Sequence, residues 1–154
     1  MNILNKLIYY YDKLLKMTLP YCQSLLSVAG RVYVAWVFFA SGLTKTSDWE
    51  TTLFLFEYEY SVPLLPVTLA AILATLGELI LPVLMSLGFA TRVSALGLLI
   101  INFVAVISLE EIAPTAFKEH IIWGLILVHI AVWGAGKISG DHLVMRQKLR
   151  LQRA

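Results

Sequence analysis

The sequence predicts an all-α integral membrane protein: a four-helix bundle with an amphipathic N-terminal helix and a short basic C-terminal helix. Hydrophobic residues make up 59% of the 154 residues and charged residues only 14%, and the mean hydropathy is +0.79. A soluble chain of this length could not hide so much apolar surface from water, because small domains expose a large share of their surface. One cysteine and five prolines exclude a disulfide-rich or disordered protein.

The first element is a predicted amphipathic helix over residues 1–19. Its apolar residues recur at helical spacing with lysines among them, which is typical of a helix lying on a membrane surface. The segment is charged too often for the apolar region of a signal peptide, and no A-x-A-like cleavage site follows it. Cys22 is interpreted as an ordinary buried thiol, since a lone cysteine forms no internal disulfide.

Long runs with few or no charges predict the membrane spans at about 24–44, 64–86, 92–109 and 120–138. A hydrocarbon core of ~30 Å takes about 20 helical residues, and backbone polar groups in lipid must be paired within a helix or a closed barrel. Barrel strands would show alternating segments of about ten residues, which this chain lacks. The transmembrane domain is therefore predicted over residues 20–140, followed by a basic tail over residues 141–154.

Two shorter helices are predicted outside the spans. Ser47 and Glu50 have the S-x-x-E spacing of a capping box, which predicts a short helix running through an aromatic stretch to Tyr60. After the fourth span, Asp141 is expected to cap a basic helix over residues 142–152, whose charges suit an anionic inner leaflet.

Lysine and arginine are distributed unequally between the two ends of the spans. Nine of them lie at one end: Lys6, Lys13, Lys16, Arg92, Lys137, Arg146, Lys148, Arg150 and Arg153. The other end has only Lys45 and Lys118, together with seven acidic residues. The positive-inside rule therefore predicts a multi-pass membrane protein with both termini in the cytoplasm.

Four polar side chains within the spans are the candidate functional residues. Arg31, Glu78, Asn102 and His129 come from four different spans and, at 1.5 Å per residue, lie at similar depths of roughly 10–15 Å. A charge within a span costs several kcal/mol unless it is paired or hydrated, so Arg31 and Glu78 are expected to face each other. One hypothesis is that the other two, Asn102 and His129, bind a small polar headgroup. The alternative is that the whole layer only joins the helices.

The remaining patterns exclude soluble catalytic chemistry. No histidine, cysteine and carboxylate set has convincing metal-ligand spacing, so no metal site is predicted. His120, beside Glu119, is interpreted as part of a solvated loop. The weaker alternative is an outer metal site formed by His120 with Glu110, Glu111 and Glu119. The chain has no phosphate-binding glycine-rich loop, serine triad or c-type haem motif, and nothing in it indicates a nucleic-acid partner.

The chain carries three short motifs in order: Arg31 followed by Phe39-x-x-Gly42-x-x-Lys45, Glu78 followed by Leu87-Gly88-x-x-Thr91-Arg92, and Gly134-x-Gly136-x-x-Ser139-x-Asp141. Over about residues 27–141 these motifs resemble the DoxX family of small bacterial membrane proteins. The first span resembles the family pattern R…F-x-x-G-x-x-K, and the second span and its turn resemble E…L-G-x-x-T-R. The segment after the fourth span resembles the closing G-x-G-x-x-S-x-D. The matching positions are Arg31, Gly42, Lys45, Glu78, Arg92, Ser139 and Asp141.

The resemblance implies a role linked to redox chemistry. Members of the family include the small membrane subunit associated with thiosulfate:quinone oxidoreductase, and others look like partners in membrane redox complexes. The hypothesis is a component of a redox complex in the bacterial inner membrane, at most a membrane subunit of an oxidoreductase. The candidate cofactor is a quinone, whose headgroup would be held by the polar layer of Arg31, Glu78, Asn102 and His129. Electrons would come from a partner protein, because the chain has no flavin, haem or iron–sulfur motif.

Two alternative functions remain at this point. One is a non-catalytic scaffold or assembly subunit that recruits partner proteins. The weaker one is a small transporter, since no internal repeat or broken helix is evident. The expected partners are the lipid bilayer and other membrane or redox proteins, and the sequence leaves homo-oligomerisation open.

Overall fold

The computed structural model describes residues 2–152, and within them it has six helices. They are α1 (Ile3–Ser47), α2 (Trp49–Tyr58), α3 (Val67–Leu87), α4 (Thr91–Ser108), α5 (Pro114–Trp133) and α6 (Gly140–Leu151). The long helices α1, α3, α4 and α5 are each long and apolar enough to cross a membrane. Among the described residues the only β-type pairing is an isolated bridge between Tyr60 and Leu109. The predicted all-α membrane fold is confirmed.

The four long helices pack around one apolar core. α1 packs on α3, α3 on α4 and α4 on α5, and α5 returns to contact α1. The core residues include Val34, Phe38, Met85, Leu98 and Leu127. Many other large apolar side chains point outward and are exposed, as a lipid-facing surface requires.

The bundle has two distinct ends. We call the end with the α3–α4 turn and residues 134–139 the basic end, because Arg92 and Lys137 lie there. We call the end with α2 and the α4–α5 connection the acidic end, because Asp48 and Glu110 lie there.

The predicted surface helix and the first span form one continuous helix, α1. Pro20 lies inside α1 without ending it, although its ring removes one backbone donor. Its carbonyl oxygen accepts a hydrogen bond of 2.7 Å from the Ser24 hydroxyl. The expectation that Cys22 is buried is wrong, because this thiol is exposed. Burial depends on neighbouring helices, and Ser24 is the first buried residue of α1.

The short helix α2 forms as predicted, but its cap is Asp48 rather than Ser47. The Asp48 carboxylate accepts hydrogen bonds from the Thr51 backbone N–H (3.0 Å) and the Thr51 hydroxyl (2.6 Å). These bonds, the side-chain one first, hold the pKa of Asp48 below its usual value. Ser47 is unavailable because α1 continues through it, whereas an N-cap residue must have non-helical backbone angles.

The C-terminal basic helix α6 also forms, and its cap also differs from the predicted one. The His142 backbone N–H donates to the Ser139 hydroxyl oxygen at 3.2 Å, so Ser139 caps α6. Lys148 and Arg150 lie in its last turn, where positive charge is favourable. Arg153 and Ala154, the last residues of the predicted tail, lie outside the described residues.

Candidate functional site

A cavity of about 450 Å³ lies between the helices in the half of the bundle nearer the acidic end. Its walls come from α1 to α5 and are mostly apolar. The polar side chains that line it are Ser41, Lys45, Tyr60, Glu78, Ser108 and His120. Small-molecule sites in proteins are typically apolar cavities of about 300–1,000 Å³ with a few placed polar groups. This cavity is therefore the candidate functional site.

An ion pair between α1 and α3 forms the charged part of the cavity. Lys45 Nζ lies 2.7 Å from Glu78 Oε2 and 2.9 Å from Ser41 Oγ. The Glu78 side chain is only 8% exposed and that of Lys45 is 19% exposed, so water reaches both poorly. A Cβ atom on Gly42 would lie 3.1 Å from Glu78 Cβ, and the glycine therefore allows α1 to approach α3 here. Gly42, Lys45 and Glu78, which are three of the family-motif positions, thus form one contact between α1 and α3.

A second polar pair joins α4 to α5. Asn102 Nδ2 donates to the His120 backbone oxygen at 3.0 Å, and Asn102 Oδ1 lies 2.8 Å from His120 Nδ1. Asn102 is buried, whereas His120 lines the cavity with its ring edge-on to Trp123, 4.9 Å between centroids. The interpretation of His120 as a solvated loop residue is wrong. Pro114 was the missed signal, since proline favours the first helical position and starts α5 before residue 120.

Two cavity-lining residues, one on α3 and one on α4, are also exposed on the outer surface of the bundle. These are Leu73 and Ile100, each of which is about half or more exposed. Nearer the basic end the two helices are in close contact: a Cβ on Gly97 would lie 2.6 Å from Leu81 Cδ1. α3 and α4 are thus tightly packed toward the basic end, and the cavity lies between them toward the acidic end.

The four residues predicted to form one polar layer are not brought together. Glu78 lines the cavity and Asn102 holds His120, but Arg31 and His129 lie elsewhere. The His129 ring stacks on Trp133, 4.8 Å between centroids.

The expected Arg31–Glu78 ion pair is a wrong prediction. Arg31 instead donates to the Ile138 backbone oxygen at 2.8 Å, beside Gly88 at the basic end. Glu78 precedes Gly88 by ten residues, which is about 15 Å along a helix. The long Lys45 side chain reaches Glu78 from the opposite end of the bundle.

Five residues at the basic end form a second unit, which we call the clasp: Arg31, Gly88, Thr91, Ser139 and Asp141. Asp141 Oδ1 accepts from the Ala90 backbone N–H at 2.9 Å, and Oδ2 accepts from the Thr91 backbone N–H at 3.0 Å. The Asp141 N–H in turn donates to the Gly88 carbonyl at 2.8 Å. Asp141 therefore caps α4, where free N–H groups favour a carboxylate, instead of its own helix α6.

We expect Asp141 to stabilise the protein only while it is ionised. Partial burial opposes ionisation, but hydrogen bonds from Thr91 and Ala90 outweigh it and hold the pKa of Asp141 below its usual value. A carboxylate with a lowered folded pKa adds stability above its unfolded pKa of about 3.9, and this is lost as pH falls through the folded pKa. Asp141→Asn should therefore melt below wild type at pH 7 in detergent, and the difference should shrink below about pH 4.

The control for this experiment is Asp12→Asn. Asp12 lies 3.8 Å from Lys16 on an exposed part of α1, where an ion pair contributes little. The Asp12→Asn variant should have the same melting temperature as the wild-type protein at every pH. A difference for Asp141→Asn that stays constant from pH 7 to pH 3 would contradict the capping role.

Comparison with known proteins gives one family and one relative. The DoxX family model matches residues 26–111. An uncharacterized protein of Haemophilus influenzae is 33% identical over 125 residues, which cover 75% of this chain and 81% of that protein. No solved structure matches the chain. The family match includes the Lys45–Glu78 pair and Asn102, whereas His120 and Asp141 lie beyond residue 111.

Proposed function

The chain belongs to the DoxX family of membrane proteins, and we propose that it is an inner-membrane component of a redox complex that binds a quinone. The observation that carries the proposal is the cavity of about 450 Å³, which combines apolar walls with the Lys45–Glu78 pair. A quinone has a flat apolar ring with oxygen atoms at its edge. Such a ring requires apolar walls and a small number of hydrogen-bonding groups, as this cavity offers.

Lys45 is the residue we assign to a quinone oxygen. An ammonium group has three donors, and two of those on Lys45 are directed at Glu78 and Ser41. The third remains for a carbonyl oxygen of the ring. Trp123 and Phe38, whose rings are edge-on with centroids 6.1 Å apart, provide aromatic walls for the ring.

The exposure of two cavity-lining residues on α3 and α4 supports entry from the bilayer between these helices. Leu73 and Ile100 line the cavity and are also exposed on the lipid-facing surface. Quinones are dissolved in the hydrocarbon region of membranes, so a lateral opening matches their location. In this proposal, electrons are exchanged with a partner redox protein, and this chain supplies the membrane-embedded binding site.

We place the basic end of the bundle in the cytoplasm. Nine lysine and arginine residues lie at or beyond that end, against two at the acidic end, and short cytoplasmic segments carry the excess of positive charge. Reporters fused within residues 110–118 and after Ala154 should then be active on opposite sides of the membrane. A C-terminal fusion active only in the periplasm would reverse this orientation.

The binding experiment uses fluorescence quenching, because quinones quench tryptophan at short range. Trp123 lines the cavity, whereas Trp36, Trp49 and Trp133 do not. A short-chain quinone titrated into the protein in mild detergent should quench the tryptophan fluorescence in a saturable manner. Trp123→Phe should remove most of this saturable quenching.

A matched pair of variants on α4 tests whether the cavity is the site. Ala105 lines the cavity, so Ala105→Phe should fill it and abolish saturable quenching. Ile107 is exposed on the outer side of the same helix, so Ile107→Phe should leave quenching unchanged. If the wild-type protein and Ala105→Phe quench alike, the quinone proposal fails and a scaffold role becomes the better hypothesis.

A further inference from the structure

His120 is held in one tautomer by Asn102. A backbone carbonyl can only accept, so the Asn102 atom 3.0 Å from the His120 carbonyl oxygen must be the amide nitrogen. The amide oxygen is then the atom 2.8 Å from His120 Nδ1, and it can only accept. The proton of the neutral imidazole therefore lies on Nδ1, and Nε2 keeps its lone pair.

This lone pair adds an acceptor to the cavity. His120 lines the cavity, and the hydrogen bonds that its ring makes within residues 2–152 use Nδ1 alone. Lys45, by contrast, offers only donors. A ligand that satisfies both side chains must accept a hydrogen bond at one oxygen and donate an O–H at another.

We propose that the cavity is built for the reduced form of its ring ligand, a hydroquinone, with one hydroxyl group donating to His120 Nε2. The inference rests on the proposed function and specifies the redox form that the same site prefers. Quinone oxygens only accept, so a bound quinone would satisfy Lys45 but leave Nε2 without a partner in an apolar cavity. A hydroquinone satisfies both, and an unpaired polar atom in such surroundings is unfavourable.

The tautomer can be measured without any ligand. In protein labelled with ¹⁵N at histidine and held at a pH where histidine is neutral, the NMR signals of His120 should show a protonated Nδ1 and a bare Nε2. His129 and His142 give the other histidine signals, and His120→Gln identifies the one that disappears. A proton on Nε2 would overturn the inference at its first step.

The preference of the cavity for hydroquinone over quinone is measured by calorimetric titration under anaerobic conditions, with three ligands of the same ring and tail. These are the quinone, the hydroquinone and the hydroquinone dimethyl ether, which is reduced but cannot donate. The hydroquinone should bind about tenfold more tightly than either of the others, the ratio expected from one neutral hydrogen bond. His120→Phe should remove this preference while quinone binding persists, and His129→Phe, outside the cavity, should retain it.

The outcomes separate the two proposals. If no form of the ring binds, the proposed function fails, and the inference that rests on it fails too. If the quinone and hydroquinone bind equally to wild type, or if the preference survives in His120→Phe, this inference is overturned while quinone binding stands.

Discussion

Gly88→Ala is expected to destabilise the bundle by about 2–4 kcal/mol, because it combines backbone strain with a clash. Gly88 has φ +76, a left-handed conformation that alanine adopts at a cost of about 1–2 kcal/mol. An added Cβ would collide with the Arg31 guanidinium and would lie 2.7 Å from Ser139 Cβ and 3.0 Å from Ser139 Cα. Part of this contact is backbone, so rotation of one side chain cannot relieve it.

The measurement is the melting temperature of the purified protein in detergent, with Gly124→Ala as the matched control. Gly124 lies inside α5, and its nearest neighbour for an added Cβ would be Asn102 Nδ2 at 3.4 Å, an ordinary contact. Alanine also favours the helix, so this variant should be as stable as wild type or slightly more stable. Equal melting temperatures for the two variants would show that the clasp tolerates a side chain at Gly88.

Lys45→Met is expected to cost about 3 kcal/mol or more, because it leaves the Glu78 carboxylate without a partner inside the bundle. Glu78→Gln should cost less. Lys45 lies in the last turn of α1 and can extend its ammonium toward the membrane surface when Glu78 is gone. The double variant should recover part of the loss, so its destabilisation should be smaller than the sum of the two single ones.

Two comparisons show whether this non-additive loss of stability is specific to Lys45 and Glu78. Arg31→Met combined with Glu78→Gln should be additive, because Arg31 donates to the Ile138 backbone instead. Removing Lys16, whose partner Asp12 is exposed on α1, should change the melting temperature little. If the stability losses of the Lys45 and Glu78 variants are additive while those of the Arg31 and Glu78 variants are not, the Lys45–Glu78 ion pair is wrong.

The clasp and the residues proposed to bind a ligand lie at opposite ends of the bundle. The clasp joins the segment after α5 to α1 through Arg31, and Asp141 at the start of α6 to the α3–α4 turn. The cavity lies in the other half and contains the Lys45–Glu78 pair and His120. Variants of the clasp should therefore lower stability, whereas variants of His120 should change ligand preference in a folded protein.

The features predicted correctly from the sequence are those that depend on neighbouring residues in the chain. Long runs without charges predict four membrane-crossing helices, because backbone groups in lipid must pair within their own segment. The short helices α2 and α6 follow from local capping and turn residues in the same way. Even there the capping residue shifted from Ser47 to Asp48, because α1 continues through Ser47, and from Asp141 to Ser139, because Asp141 caps α4.

The partners of the polar side chains depended on how the helices are rotated and shifted against one another. The sequence places Arg31, Lys45 and Glu78 on their helices, but it does not show which cation reaches the carboxylate. A long side chain spans several ångströms, and an error of one turn moves a residue by about 5.4 Å. Packing brought Lys45 to Glu78, Arg31 to the Ile138 carbonyl and His120 to Asn102. These contacts join residues far apart in the chain, and only the packed helices bring them together.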